Sequence, residues 1–168
     1  MDTDPLKTSH SNPNPSDKRD RALENSTLIV ATATSFMGPF MISAVNVALP
    51  AIQAEFSASA VLLSWIATAY LLAIAVFLVP FGKVADIYGR RKVFVWGLIL
   101  FALSTLGMAF AGSITVLIAW RMIQGVGTAM VVTTGMAIVT SVFPPQRRGR
   151  AIGIYVAAVY VGLSVGPS

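Results

Sequence analysis

Long runs of uncharged, mostly apolar residues divide this sequence into segments that have the length of a membrane crossing. Residues 25–54 and 56–82 contain no charged side chain, and between residues 93 and 146 only Arg121 is charged. A bilayer core is about 30 Å thick, so a helix crosses it in about 20 residues. Only 11% of the residues are charged, against about 25% in soluble domains. The sequence therefore predicts an all-α polytopic membrane protein.

The apolar runs predict five transmembrane helices, at about residues 27–50, 60–81, 93–111, 115–142 and 151–168. The long stretch from 93 to 146 holds two of them, separated by a turn at Gly112 and Ser113. Residues 1–26 are polar and rich in Asp, Asn, Ser and Pro, which predicts a disordered tail. The tail lacks the short apolar segment of a cleaved signal peptide, so we expect the first span to act as its own insertion signal.

The distribution of Lys and Arg predicts the orientation of these spans. Basic residues fall in the tail, after the second span and after the fourth, whereas the connection after the first span has only Glu55. The basic residues of these three segments are Lys7, Lys18, Arg19, Arg21, Lys83, Arg90, Arg91, Lys92, Arg147, Arg148 and Arg150. Because cytoplasmic connections collect Lys and Arg, we expect a cytoplasmic N-terminus in a multi-pass protein of the plasma membrane. Topology explains the net charge of +5, so nucleic acid is not an expected partner.

The segment GKVADIYGRRKV, residues 82–93, is predicted to form a cytoplasmic hairpin between the second and third spans. Charges that stop translocation account for it by themselves, but the spacing within it also resembles G-x-L-A-D-R-x-G-R-K-x, the loop signature of the major facilitator superfamily. Val84 and Ile87 depart from that signature. The residues that match it are Gly82, Asp86, Gly89, Arg90 and Arg91. The resemblance implies a conformational latch that holds the second helix against a helix of the other half of the transporter.

Three further segments resemble the same superfamily in the same order along the chain. RMIQGVGTA, residues 121–129, resembles R-x-x-Q-G-x-G-x-A, and SAVNVALP, residues 43–50, resembles the first-span signature of drug:proton antiporters of the fourteen-helix branch. The antiporter signature G-x(8)-G-x(3)-G-P is matched by Gly153, Gly162, Gly166 and Pro167. The resemblance implies the first five transmembrane helices of a major facilitator fold, residues 27–168 being a partial N-terminal transmembrane half. We expect a fragment that transports nothing without the missing C-terminal transmembrane half.

The resemblance also implies that Arg121, Gln124, Gly125 and Asn46 serve proton coupling or the substrate cavity. Arg121 has a second interpretation, since it would cap an external loop if the fourth span began immediately after it. Asn46 likewise fits either a hydrogen bond between helices or a contact with a ligand.

The predicted function is secondary active transport, with multidrug export by proton antiport and alternating access as the leading hypothesis. Small amphipathic substrates, protons and the lipid bilayer are the expected partners. Met41 occupies the place where these antiporters usually carry an Asp, and no predicted span contains an acidic residue. A facilitator or symporter for another small solute, or a non-transporting membrane scaffold, therefore stays an alternative. No cofactor, metal site or enzymatic activity is expected, because the sequence has no cysteine, no HExxH and no phosphate loop.

Overall fold

The computed structural model describes the backbone of residues 15–165 and the side chains from residue 23 onward. These residues form an all-α bundle, as predicted. The helices are α1 (Pro15–Phe56), α2 (Ala60–Tyr88), α3 (Arg90–Ala109), α4 (Ile114–Val142) and α5 (Pro145–Val165).

Short connections with defined caps make neighbouring helices antiparallel. Ser59 and Ser113 precede α2 and α4 in extended conformations, and each side chain accepts a backbone hydrogen bond from the third residue that follows it. Gly89 alone separates α2 from α3, with a φ of +98° that L side chains rarely adopt.

The predicted boundaries were wrong at two places where helices continue beyond the apolar runs. The tail was predicted to be disordered through residue 26, but α1 begins at Pro15. Proline suits the first position of a helix, and no glycine or further proline follows before Gly38. The hairpin at residues 82–93 was predicted as a connection, but α2 runs on to Tyr88 and α3 begins at Arg90. Residues 1–14 lie outside the described part of the chain.

The fifth predicted span, residues 151–168, is only partly described. The stretches of the described helices that are long and apolar enough to cross a membrane are Leu23–Phe56, Ala60–Tyr88, Arg90–Ala109 and Ile114–Val142. Within its described residues, α5 does not meet this criterion, because Arg147, Arg148 and Arg150 stand in its first two turns. The apolar remainder is shorter than the roughly 20 residues of a full crossing. Residues 166–168 are outside the described chain.

Helix α4 occupies the centre of the bundle, and glycines let its neighbours approach closely. A β-carbon at Gly125 would lie 2.6 Å from the backbone oxygen of Tyr70 in α2, and one at Gly127 would lie 2.9 Å from the backbone nitrogen of Phe101 in α3. Helix α5 packs instead on α1, where a β-carbon at Gly162 would lie 2.7 Å from the backbone oxygen of Phe36. Close backbone approach at small residues is the usual basis of helix association in membranes.

We expect Gly125→Ala to lower the melting temperature of this chain in detergent. Alanine favours a helix by about 1 kcal/mol over glycine, but its β-carbon would force α2 away from α4, at a cost of about 1–3 kcal/mol. Gly153→Ala is the matched control, because the structure shows open space around that position. A melting temperature for Gly125→Ala equal to or above that of Gly153→Ala would contradict the close contact.

Candidate functional site

Arg121 lies inside the bundle, with 2% of its surface exposed. Helix α4 begins at Ile114, so Arg121 stands about 10 Å along the helix axis from that end. The alternative in which Arg121 caps an external loop is therefore wrong. A cation buried at such a depth is costly and marks a functional site by default.

A chain of hydrogen bonds holds the Arg121 guanidinium in place. Arg121 Nη1 donates to Gln124 Oε1 at 2.9 Å, and Gln124 Nε2 donates to Thr105 Oγ1 of α3 at 2.8 Å. The guanidinium carbon also lies 5.4 Å from the centre of the Tyr70 ring of α2, within the range of a cation–π interaction. The Tyr70 hydroxyl donates to Thr128 Oγ1 at 3.2 Å. The spacing of residues 121, 124 and 128 places these α4 side chains on one face of the helix.

Arg121 keeps unused hydrogen-bonding capacity. Its Nε and Nη2 are buried and have no hydrogen-bond partner among the described residues. Arginine has five N–H donors and no acceptor, so these atoms can bind a carboxylate, a carbonyl oxygen or water. Arg121 and Asn46 both line a cavity of about 20 Å³ between α1, α2 and α4, which is large enough for one water molecule.

The structure brings together three of the four residues predicted for this site. Arg121 and Gln124 are bonded, and Asn46 lies at the same cavity. Gly125 instead packs against α2, so it shapes the site without facing the cavity. Tyr70 and Thr105 were missed by the sequence analysis, although a buried tyrosine in an apolar span was a signal that its hydroxyl has a partner.

A larger, mostly apolar cavity of about 250 Å³ lies within the same bundle. Its lining comes from all five helices and includes Met37, Ile74, Phe101 and Val131. Thr128 also lines it and connects it to the polar chain around Arg121. An apolar space next to a buried cation has the chemistry that an amphipathic molecule requires.

Of the predicted latch residues, Asp86 and Arg90 form an ion pair at the junction of α2 and α3, which is Gly89. Asp86 Oδ1 accepts hydrogen bonds from Arg90 Nε at 3.3 Å and Nη2 at 3.2 Å, so the ion pair bridges the break at Gly89. Arg90 Nη1 also donates to the backbone oxygen of Ala137 in α4 at 3.4 Å. Gly82 lies within α2, where a β-carbon would be 3.5 Å from a Thr133 methyl group. Arg91 lines an open surface groove with Lys92 and Trp96.

The residues predicted for the antiporter motif of the fifth helix are partly described. Gly162 packs against α1, whereas Gly153 has open space beside it. Gly166 and Pro167 lie outside the described residues. Met41, at the position of the expected Asp, is half-buried in α1.

Comparison with known proteins assigns the family. The profile described as Major Facilitator Superfamily matches residues 31–168. The chain belongs to the major facilitator superfamily. This superfamily consists of transporters and not of enzymes, and its members are multi-pass membrane proteins, here of the plasma membrane.

Individual superfamily members agree with this assignment. The chain is 38% identical to "Multidrug resistance protein Stp" of Mycobacterium tuberculosis over 149 residues. This match covers 86% of the chain and 28% of that protein. It is also 32% identical to "Riboflavin transporter RibZ" of Clostridioides difficile over 140 residues. That match covers 83% of the chain and 31% of the relative. The chain therefore spans about a third or less of the length of these relatives.

A solved structure supports the superfamily fold. The inward-facing, unoccupied bacterial homologue of the human lysosomal transporter Spinster superposes with a TM-score of 0.76 at 25% sequence identity. The match covers 83% of this chain and 29% of that one. The predicted all-α major facilitator fold is thus confirmed, whereas the cytoplasmic position of the N-terminus stays a prediction.

We expect Gln124→Leu to destabilise this superfamily half-bundle by about 1–3 kcal/mol, because it leaves a buried charged group without its hydrogen-bond acceptor. The measurement is thermal unfolding in detergent. Gln124→Glu is the control, since its carboxylate can still accept from Arg121. Equal stability of the leucine variant and the unsubstituted chain would show that the bond contributes nothing.

Proposed function

We propose that the complete protein is a secondary active exporter that moves small amphipathic compounds outward in exchange for protons. The observation that carries this proposal is the buried guanidinium of Arg121, which lines a cavity and whose Nε and Nη2 have no hydrogen-bond partner among residues 23–165. The printed names of the relatives support export of drugs, because they include a multidrug resistance protein and a tetracenomycin C resistance and export protein.

In this proposal the chain supplies one wall of the transport pathway. Arg121, Gln124 and Asn46 offer hydrogen bonds to the polar part of a substrate, while apolar side chains around the larger cavity accommodate the rest of it. Adaptable Met and Phe side chains suit binding of several compounds of different shape. The opposing wall belongs to the C-terminal transmembrane half, and alternating access arises when the two halves rock about the substrate.

Proton exchange requires an acid, and the described part of the protein places none beside the Arg121 site. Among residues 23–165 the carboxylates are Glu24, Glu55 and Asp86, and none of them lies beside Arg121. The guanidinium stays charged at physiological pH, so Arg121 acts as a fixed cation and not as the proton carrier. We infer that the carrier is a carboxylate of the other half, or Asp86, whose ion pair with Arg90 would then open during the cycle.

The latch hypothesis rests on the three helices that Arg90 joins. Asp86 belongs to α2, Arg90 to α3 and Ala137 to α4, so one side chain ties three helices at one end of the bundle. The same end holds the arginines after α4, and the excess of Lys and Arg there makes it the cytoplasmic end. A contact between this end and the second half would therefore hold α2, α3 and α4 in one position.

A second candidate function is facilitated transport or symport of a polar solute. The relative named as a riboflavin transporter favours it, as does Met41 in place of a carboxylate. Measurements of uptake and export under imposed pH gradients distinguish an antiporter from a facilitator, because transport by an antiporter depends on the sign of the gradient and transport by a facilitator does not. Unchanged accumulation of every dye and solute at every gradient would favour a scaffold.

We expect Arg121→Gln in the complete protein to reduce dye export by at least about tenfold, since it removes the charge-assisted hydrogen bonds of the site, each of which contributes about 1.5–3 kcal/mol. Arg121→Lys keeps the charge but not the planar set of donors, so it should retain partial activity. The measurement is dye efflux from energised vesicles, normalised to the amount of protein in the membrane. Full activity of the glutamine variant would exclude Arg121 from the site.

We expect Asp86→Asn to abolish most transport while changing stability by less than about 1 kcal/mol. The Asp86 and Arg90 side chains are 65% and 45% exposed, and ion pairs that exposed contribute little to folding. Transport and thermal unfolding are measured on the same preparation. Glu55→Gln removes an exposed carboxylate at the other end of the bundle and is the matched control. Equal transport by the two variants would contradict the latch.

A further inference from the structure

We propose that a groove between α1 and the start of α5 binds the headgroup of an anionic phospholipid. This arginine groove has a volume of about 420 Å³ and is lined by Glu24, Leu28, Phe143, Arg147, Arg150 and Ile154, among others. A second cavity of about 480 Å³ shares Glu24 and Phe143 with it and reaches Arg148. The groove lies at the end of the bundle where α4 leaves the apolar region and α5 enters it.

The groove carries more positive charge than its own carboxylate balances. Arg147 and Arg150 line the groove, Arg148 lines the adjoining cavity, and Glu24 is the carboxylate that lines both. The ion pair between Arg147 Nη1 and Glu24 Oε2 is 3.6 Å long. For Arg148 and Arg150 the described residues provide no carboxylate within ion-pair distance. The planar fork of a guanidinium matches two phosphate oxygens. A phosphate group would therefore use the two positive charges that Glu24 leaves over.

Arg148 gives independent support for a ligand. Its Nε is buried and lacks a hydrogen-bond partner in the described part of the chain, and its Nη2 reaches the backbone oxygen of Phe143 only at 3.5 Å. A buried donor without an acceptor is unfavourable. An oxygen-rich anion in the adjoining cavities would satisfy it.

The apolar part of the groove distinguishes a lipid from soluble phosphate. Leu28 of α1 and Ile154 of α5 also line the groove, each one helical turn further toward the apolar residues of its helix than Glu24 and Arg150. An acyl chain would continue from the headgroup on that side. Basic pockets between transmembrane helices at the cytoplasmic face are suited to anionic headgroups. The position, the charge and the apolar floor together favour a phospholipid of the surrounding leaflet.

The test uses the complete protein purified in detergent and titrated with phosphatidylglycerol or with phosphatidylcholine of the same acyl chains. Native mass spectrometry counts the bound lipids. We expect the double variant Arg148→Gln with Arg150→Gln to weaken phosphatidylglycerol binding by about thirtyfold and to leave phosphatidylcholine binding unchanged. Lys83→Gln with Lys92→Gln is the matched control, because it removes the same charge at the same end of the bundle.

A gain-of-binding variant protects the test against misfolding. Glu24→Gln frees Arg147 from its carboxylate, so phosphatidylglycerol binding should strengthen by about fivefold, which an unfolded protein would not show. Equal losses in the two double variants would overturn the proposal, because binding would then follow net charge alone. Competition by glycerol phosphate at the same concentration as the lipid would also overturn it, since the groove would then bind soluble phosphate.

Discussion

The close contact of α4 with α2 at Gly125 is the constraint on which the rest of this structure depends. In a bilayer there is little hydrophobic gain when two apolar helices associate, so close packing and polar contacts between helices must supply the stability. The missing side chain at Gly125 lets the α2 backbone approach α4, and this approach sets the Tyr70 ring beside the Arg121 guanidinium. A wider separation of α2 from α4 would leave a gap beside the Arg121 guanidinium. Neither lipid nor an apolar neighbour could solvate that charge. Packing and electrostatics are therefore coupled at one helix crossing.

The polar groups of the bundle are separated into two environments. Around Arg121 one hydrogen bond lies within α4 and two run from α4 to α2 and α3, and these mostly buried bonds are stronger than they would be in water. At the basic end, Asp86, Arg90 and Arg147 are exposed, and their ion pairs contribute little to stability. Arginine thus stabilises the interior at position 121, whereas at positions 90 and 147 it remains free to change its partners. That division fits a transporter half, whose core must stay intact while its surface contacts change.

Sequence reasoning predicted the elements of this fold better than their ends or contacts. The apolar runs identified the helical core because spans need a minimum length, and Gly89 was identified because it matches the loop signature of the resembled family. The helix before residue 27 and the continuation of α2 to Tyr88 were missed, since the predicted limits followed hydropathy and a helix does not stop where charges begin. Arg121 and Gln124 were predicted together because RMIQGVGTA, residues 121–129, resembles the superfamily motif R-x-x-Q-G-x-G-x-A. Tyr70 and Thr105 were missed because their roles depend on which faces of α2 and α3 turn toward α4, which is a property of helix packing rather than of local sequence.

The single-residue junction at Gly89 has a mechanical consequence. A longer connection would let α2 and α3 slide or rotate separately, but a single residue prevents such independent movement. The exposed Asp86–Arg90 ion pair also restrains the angle between the two helices. Any tilt of α2 must therefore also tilt α3. The two helices thus move as one rigid unit whose bend, at Gly89, lies at the membrane surface. A residue inserted next to Gly89 would change how far α3 moves when α2 tilts, even if every helix still folded.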